Sequence, residues 1–379
     1  MRVEQSVRTI DNPLTIVGTS TLDCPADLVL AFGARYQLEN SGWLREVVRQ
    51  HPGAVVAGCS TAGEISGNSV LDGAVVCTAV KFERTAVQGS HVHVKAAEDS
   101  RDAGRRLAKS IDHRDLVHAF VLSDGLNVNG SELVKGLTEE LPGDVTVTGG
   151  LSADDDRFEK TIVLWKGEAL TSNVVIIGFY GHSLRVGYGS LGGWDPFGPE
   201  RLITRSRGNV LYELDSRSAL GLYKTYLGDQ AAGLPATGLL FPLALRDDET
   251  ETAVVRTILA VDDAEQSMTF AGDVPEGARA RLMKANFDRL IDGAAGAART
   301  SYEALGSSSP ELAILISCVG RKMVLKQRVE EEVESVREVV GERAVMTGFY
   351  SYGEISPFTP SARCELHNQT MTVTTLSEV

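Results

Sequence analysis

Three stretches of the chain repeat one order of apolar and polar positions: a short apolar run, a polar turn, an amphipathic segment, a second apolar run, then a glycine. In the first, Leu28-Val29-Leu30-Ala31-Phe32 ends at Gly33, Trp43, Leu44, Val47 and Val48 recur at helical spacing, and Ala54-Val55-Val56-Ala57 enters Gly58. In the second, Leu116 to Leu122 is followed by the turn Ser123-Asp124-Gly125, a helical segment from Ser131 to Leu141 stopped by Pro142-Gly143, and Val145-Thr146-Val147 leading to Gly149-Gly150. In the third, Leu312 to Ser317 precedes Leu325, Val329, Val333, Val336 and Val340, one apolar stripe that predicts a single long helix. Gly341 ends it, and Ala344-Val345-Met346-Thr347 enters Gly348. Each stretch predicts a β-α-β unit.

The first and third stretches also share a phrase. Gly58-Cys-Ser-Thr-Ala-Gly-Glu-Ile65 matches Gly348-Phe-Tyr-Ser-Tyr-Gly-Glu-Ile355 at Gly, Gly, Glu and Ile, which points to an internal duplication. A glycine-rich lapse between Gly181 and Gly208 divides the chain, after which Asn209 to Leu214 predicts a strand and Asp215 an N-cap for a helix through Leu227. Segments 74–82, 161–165 and 174–180 predict added strands, 253–261 and 268–272 a meander, and 370–376 a final strand. The expected class is α/β: two related halves, 25–208 and 209–379, each a mixed sheet with β-α-β crossovers, flanking helices and antiparallel additions.

Length and composition bound the function classes. With 379 residues and 43% hydrophobic positions, each half is long enough to bury a core. Acidic residues outnumber basic ones by 51 to 37 and no Lys/Arg-rich block occurs, which argues against nucleic acid. Five cysteines, Cys24, Cys59, Cys77, Cys318 and Cys364, form no CxxC pair, so neither a disulfide framework nor a zinc site is signalled and a reducing cytoplasm is expected. The first residues lack the apolar core of a signal peptide and no later apolar run reaches membrane-spanning length. No membrane partner is therefore expected.

Parallel strands joined by crossovers bring their loops out at the carboxyl edge of the sheet, where ligands of open α/β folds bind. The glycine loops therefore supply the candidate site. Glu64, Asp124, Asp154 and Glu354 offer acceptors, Arg321 a bidentate donor for a carboxylate, and Ser60, Asn127 and Tyr350 neutral hydrogen bonds, a mixture suited to a small zwitterion. The competing reading gives Glu64 and Glu354 to turn amides or helix ends and the glycines to sharp turns. Cys59 is either a nucleophile on a tight strand-loop turn or a buried small hydrophobe. His91 and His93 share one strand face, as a metal chelate or a solvated edge. His367, beside Asn368 in a polar loop, is a pocket residue, an axial haem ligand or a loop-holding group.

The quoted phrases resemble the FIST family, the F-box and intracellular signal transduction domain proteins. The N-terminal region is similar through Gly58 to Ile65, Ser123-Asp-Gly-Leu126 and Gly149-Gly-Leu-Ser-Ala-Asp-Asp155, the C-terminal region through Ser317-Cys-Val-Gly-Arg321, Gly348 to Ile355 and Leu366-His-Asn-Gln-Thr370. The resemblance implies a sensory module that binds a small ligand such as an amino acid and relays occupancy to a signalling partner, without catalysis. Some prokaryotic members are reported to hold haem, sense nitric oxide and act on a histidine kinase, so the cofactor is left unknown with haem as a candidate. The sequence shows no kinase, receiver or DNA-binding segment, and output is expected to pass to a separate polypeptide. The expected ligand residues are Cys59, Ser60, Glu64, Asp124, Asn127, Asp154, Arg321, Tyr350, Glu354, His367 and Asn368. The alternatives are a haem-based nitric-oxide sensor and a cysteine-dependent hydrolase using Cys59.

Overall fold

The computed structural model describes residues 1–9, 15–17, 22–39, 42–246, 253–358 and 362–379. All three β-α-β units form as the apolar pattern demands. Strand Leu28–Gly33 pairs in parallel with Val55–Ser60, Leu116–Ser123 with Thr146–Leu151, and Leu312–Cys318 with Val345–Ser351. Leu28–Gly33, Val55–Ser60 and Leu312–Cys318 are buried at every position, because a parallel sheet is covered on both faces and reads as a continuous apolar run. Each unit then adds an antiparallel strand on its other side: Val75–Lys81, Asn173–Tyr180 and Met371–Glu378. Beyond these lie Arg2–Arg8, Ala86–His93 and Leu184–Leu191 respectively. The same succession thus occurs three times along the chain.

The copies are tied together by exchange. The short strand after each glycine loop leaves its own sheet and pairs antiparallel with the next: Glu64–Ser66 with Val345–Ser351, Gly353–Pro357 with Thr146–Leu151, and Val163–Trp165 with Val55–Ser60. The exchange closes a ring of three sheets. Their facing sides meet in one apolar core that takes Phe32 and Cys59 from the first unit, Phe120 and Leu122 from the second, and Ile316 and Phe349 from the third. The rings of Phe32 and Phe349 lie 4.7 Å apart. The two sequence regions therefore form α/β sheets of mixed pairing that share strands: Glu64–Ser66 sits in the sheet of Leu312–Cys318, and Leu184–Leu191 pairs with Met371–Glu378.

A fourth, antiparallel sheet is inserted in the third copy, between Leu184–Leu191 and the helix Phe287–Ala304. Its strand order is Val254–Arg256, Leu243–Arg246, Arg279–Lys284, Arg201–Arg207, Val210–Leu214, Ser267–Phe270 and Ile258–Asp262. With the helix Ala219–Leu227 it closes a separate core around Leu211, Tyr223, Met268 and Phe270.

Two local expectations are corrected. The helix Ala219–Leu227 is capped by Ser218, whose Oγ accepts the Gly221 N–H at 2.9 Å, while Asp215 accepts from Leu202 N–H and Arg201 across a hairpin. The apolar stripe from Leu325 to Val340 spans two helices, Val319–Leu325 and Val329–Val340, because Lys326 takes a positive φ of 51° and the chain turns there.

Candidate functional site

The three glycine loops meet one another. Ala62 N–H donates to the Tyr350 carbonyl at 2.8 Å, Tyr352 N–H to that of Leu151 at 3.3 Å, and Ala153 N–H to that of Ser60 at 2.8 Å, a closed cycle through equivalent positions. Gly58, Gly149 and Gly348 occupy one equivalent place just before this cycle. A Cβ on any of them would fall 1.8–1.9 Å from a carbonyl oxygen of the parallel neighbour, at Ala31, Val121 and Leu315. The glycines serve this close approach.

The expected ligand residues cluster around the junction, and the geometry gives them to the protein itself. Glu64 is buried; its carboxyl pairs with the Thr61 hydroxyl at 2.5 Å and accepts the Ala74 N–H at 3.1 Å. Glu354 repeats this with the Ser351 hydroxyl at 2.7 Å and the Thr370 N–H at 3.1 Å and hydroxyl at 2.9 Å. Burial pushes both carboxyls up to about 8, against the opposing pull of these hydrogen bonds. Ser60 Oγ accepts the Ile162 N–H, Asp124 accepts from the Leu126, Asn127 and Ser172 amides and from the Asn127 side chain, and Asp154 accepts from Arg35 and Arg157.

Arg321 corrects the expectation of a free carboxylate donor. Its guanidinium is fully buried, donates to Glu332 at 2.8 and 3.1 Å, and gives its remaining reach to the carbonyls of Gly192 and Leu290. Tyr350 hydroxyl donates to the same Glu332 at 2.6 Å. Cys59 lies in the apolar core between the sheets, and burial raises its thiol well above the usual range. His367 is buried, donates its Nε2–H to the Ser356 carbonyl at 2.8 Å, and is held by burial down at about 4. That position does not fit an axial haem ligand, because the ring is buried against Phe358 at 5.5 Å and lines neither of the two spaces nearby. Asn368 donates to the Tyr352 carbonyl at 3.3 Å. His91 lies exposed on the edge strand Ala86–His93, bonded to Asn173. Among the described residues no group of His, Cys, Asp or Glu is placed to hold a metal ion.

Two spaces lie near these groups. At the loop junction an open recess of about 640 Å³ is lined by Tyr36, Ala62, Asp72, Asp155, Lys322 and Lys326. Lys322 bridges it, donating to the Ala62 carbonyl at 2.8 Å and to Asp72, with its ammonium over the Tyr350 ring. The second space is a cavity of about 380 Å³ between the helix Gly130–Glu140 of the second unit, the inserted sheet, and the strand Cys364–His367. Apolar side chains of Val134, Leu245, Val254, Pro275, Ala278 and Leu366 line it, and Arg256 stands in its wall with 8% of its surface exposed. None of the eleven expected ligand residues lines either space.

Sequence reasoning missed Arg256. The available signal is a single charge inside the apolar run Val254-Val255-Arg256-Thr257-Ile258-Leu259, where strand alternation turns it inward. Nothing in the sequence marks Asp273 or Lys135 as its neighbours.

The molecule is thus a three-sheet α/β body carrying an antiparallel insertion, with a cavity where the two meet. The chain belongs to the FIST family: residues 27–217 match the FIST N domain and 219–357 the FIST C domain. FIST domains are sensory domains of signal transduction. A curated relative, the uncharacterized protein MJ1623 of Methanocaldococcus jannaschii, is 25% identical over 316 residues, which cover 76% of this chain. The matched stretch is 59% of that relative's length. Among solved structures, a cyanuric acid hydrolase from A. caulinodans aligns over 93% of this chain and 90% of its own at 8% identity, with a TM-score of 0.36. A second cyanuric acid hydrolase structure aligns over 100% and 99% at 10% identity and a TM-score of 0.35. Likeness at this level says nothing about chemistry.

Proposed function

We propose that this chain is a non-catalytic sensory module that takes a small polar ligand, an amino acid or similar, in the cavity between its second unit and the inserted sheet. Occupancy passes to a partner protein, and a histidine kinase is the partner type the family resemblance offers. One observation carries the reading: the cavity draws its walls from both family regions, with Val134 and Lys135 from the first and Arg256 and Asp273 from the second. A ligand shifts a conformational equilibrium only by its differential affinity for the two arrangements, and a seat shared by both regions supplies that difference. Non-catalysis is favoured by the burial of Cys59 away from both spaces. A cytoplasmic location agrees with the absence of disulfide pairing among the five cysteines and of any helix long and apolar enough to cross a membrane among the described residues.

The experiment is a thermal-shift screen of the whole chain against amino acids and related metabolites, repeated on Thr138→Trp, which sets an indole into the cavity from an exposed helix position. A ligand present at a hundredfold its Kd stabilises by about 2.7 kcal/mol. Stabilisation of the native chain that vanishes in the Trp variant supports the reading. Ligands that stabilise both proteins equally refute it.

A further inference from the structure

We propose that the cavity recognises its ligand through a single carboxylate seated on Arg256, with the ligand's apolar body against Val134, Leu245, Val254 and Leu366. This rests on the sensory reading above and names the ligand class for that site.

Arg256 is a buried cation whose hydrogen-bond partners among the described residues are all uncharged. Its Nε donates to the Asp273 carbonyl at 3.2 Å, and its Nη1 to the carbonyls of Leu366 at 3.0 Å and Val255 at 3.4 Å. Its Nη2 has no acceptor among the described residues, and none of their carboxylates lies within ion-pair distance of the guanidinium. The neighbouring Asp273 carboxylate is engaged elsewhere, by Asn129 at 3.0 Å and Lys135 at 2.9 Å. Removing a cation from water is costly unless an anion or a full set of hydrogen bonds replaces the lost hydration. Three carbonyls fix the plane of the guanidinium and leave one nitrogen for an incoming group.

Space is kept for that group. The volume of about 380 Å³ falls in the range of small-molecule sites. The charge balance selects a monoanion. Five charged side chains line the cavity, Lys135, Arg256 and Arg363 against Asp273 and Glu365, an excess of one positive charge that a single carboxylate neutralises. A dicarboxylate or phosphate is therefore disfavoured, and the apolar lining calls for a hydrocarbon body on the acid.

The test is isothermal titration of the whole chain at neutral pH with 4-methylpentanoate, leucine and the uncharged 4-methylpentanamide, on the native protein, Arg256→Gln and Thr138→Trp. A charge-assisted hydrogen bond implies that the acid or leucine binds at least about tenfold more tightly than the amide. Arg256→Gln should erase that preference, and Thr138→Trp should remove binding of all three. Leucine binding in place of 4-methylpentanoate would identify an amino acid as the carboxylate source, and the reverse a simple acid. Amide binding equal to the acid's, lost in Thr138→Trp, would overturn the carboxylate seat while leaving the cavity sensor standing. Acid binding that survives Thr138→Trp, or absence of binding by every probe together with a screen insensitive to that variant, would overturn both.

Discussion

Glu64 and Glu354 stand at equivalent places in two of the three loops, and each is paired with a hydroxyl three residues earlier and a backbone N–H. Their chemistry follows from burial. A carboxyl held up near 8 keeps its proton in the folded chain at neutral pH and accepts the Thr61 or Ser351 hydroxyl on its other oxygen, while the unfolded chain releases the proton near 4.5. Below that value both states hold the proton and stability is unaffected. Between about pH 5 and 8 the folded state binds more protons than the unfolded one, so stability falls as pH rises, by about 1.4 kcal/mol per unit for each group at most. Glu64→Gln/Glu354→Gln reproduces the neutral carboxyl. Urea unfolding from pH 5 to 9 should show a slope in the native protein that is largely flattened in the double variant; equal slopes would contradict the assignment. These glutamates were visible in the sequence as a repeated phrase, but residue identity alone left open whether they faced a ligand or their own turns. Burial decided it, as it did for Arg321, where a charged side chain in the helix Val319–Leu325 proved to be the buried partner of Glu332.

At the scale of elements, the parallel pairs and their crossover helices were legible because their causes are local: apolar runs bounded by glycine, and helical periodicity stopped by Pro-Gly or Gly. The glycines that matter most answer to a longer-range demand. Gly58, Gly149 and Gly348 each permit a carbonyl of the neighbouring strand to pass at a distance no Cβ tolerates. Gly348→Ala should therefore destabilise the protein by at least about 3 kcal/mol, at the upper end of single substitutions, since the obstacle is backbone that cannot rotate away. Gly143→Ala, where a Cβ meets nothing within 4 Å, is the control and should be close to neutral. Chemical denaturation of the two variants checks the difference. The elements that sequence reading lost are those with little local signal, such as the strand Glu64–Ser66, which is too short for periodicity and is defined by its partner in another unit.

Over the whole molecule, strand exchange makes the two sequence regions interdependent. A fragment ending near residue 208 would lose the sheet on which Glu64–Ser66 and Leu184–Leu191 pair, and with it the part of the central core supplied by Ile316 and Phe349. Expressed alone, residues 1–208 should give an expanded or aggregated species by size-exclusion chromatography and lose near-ultraviolet dichroism, and co-expression with 209–379 should restore a compact complex. A compact, cooperatively unfolding fragment would count against this account. The sequence by itself determined the three β-α-β units, the repeated glycine phrase and the family, because each is written in short-range patterns of apolar, polar and glycine positions. Only the tertiary structure decided that the three loops close on one another, that Glu64, Arg321 and His367 face inward, and that Arg256 stands in a cavity wall. Those outcomes depend on pairings between residues far apart in the chain, which local periodicity does not encode.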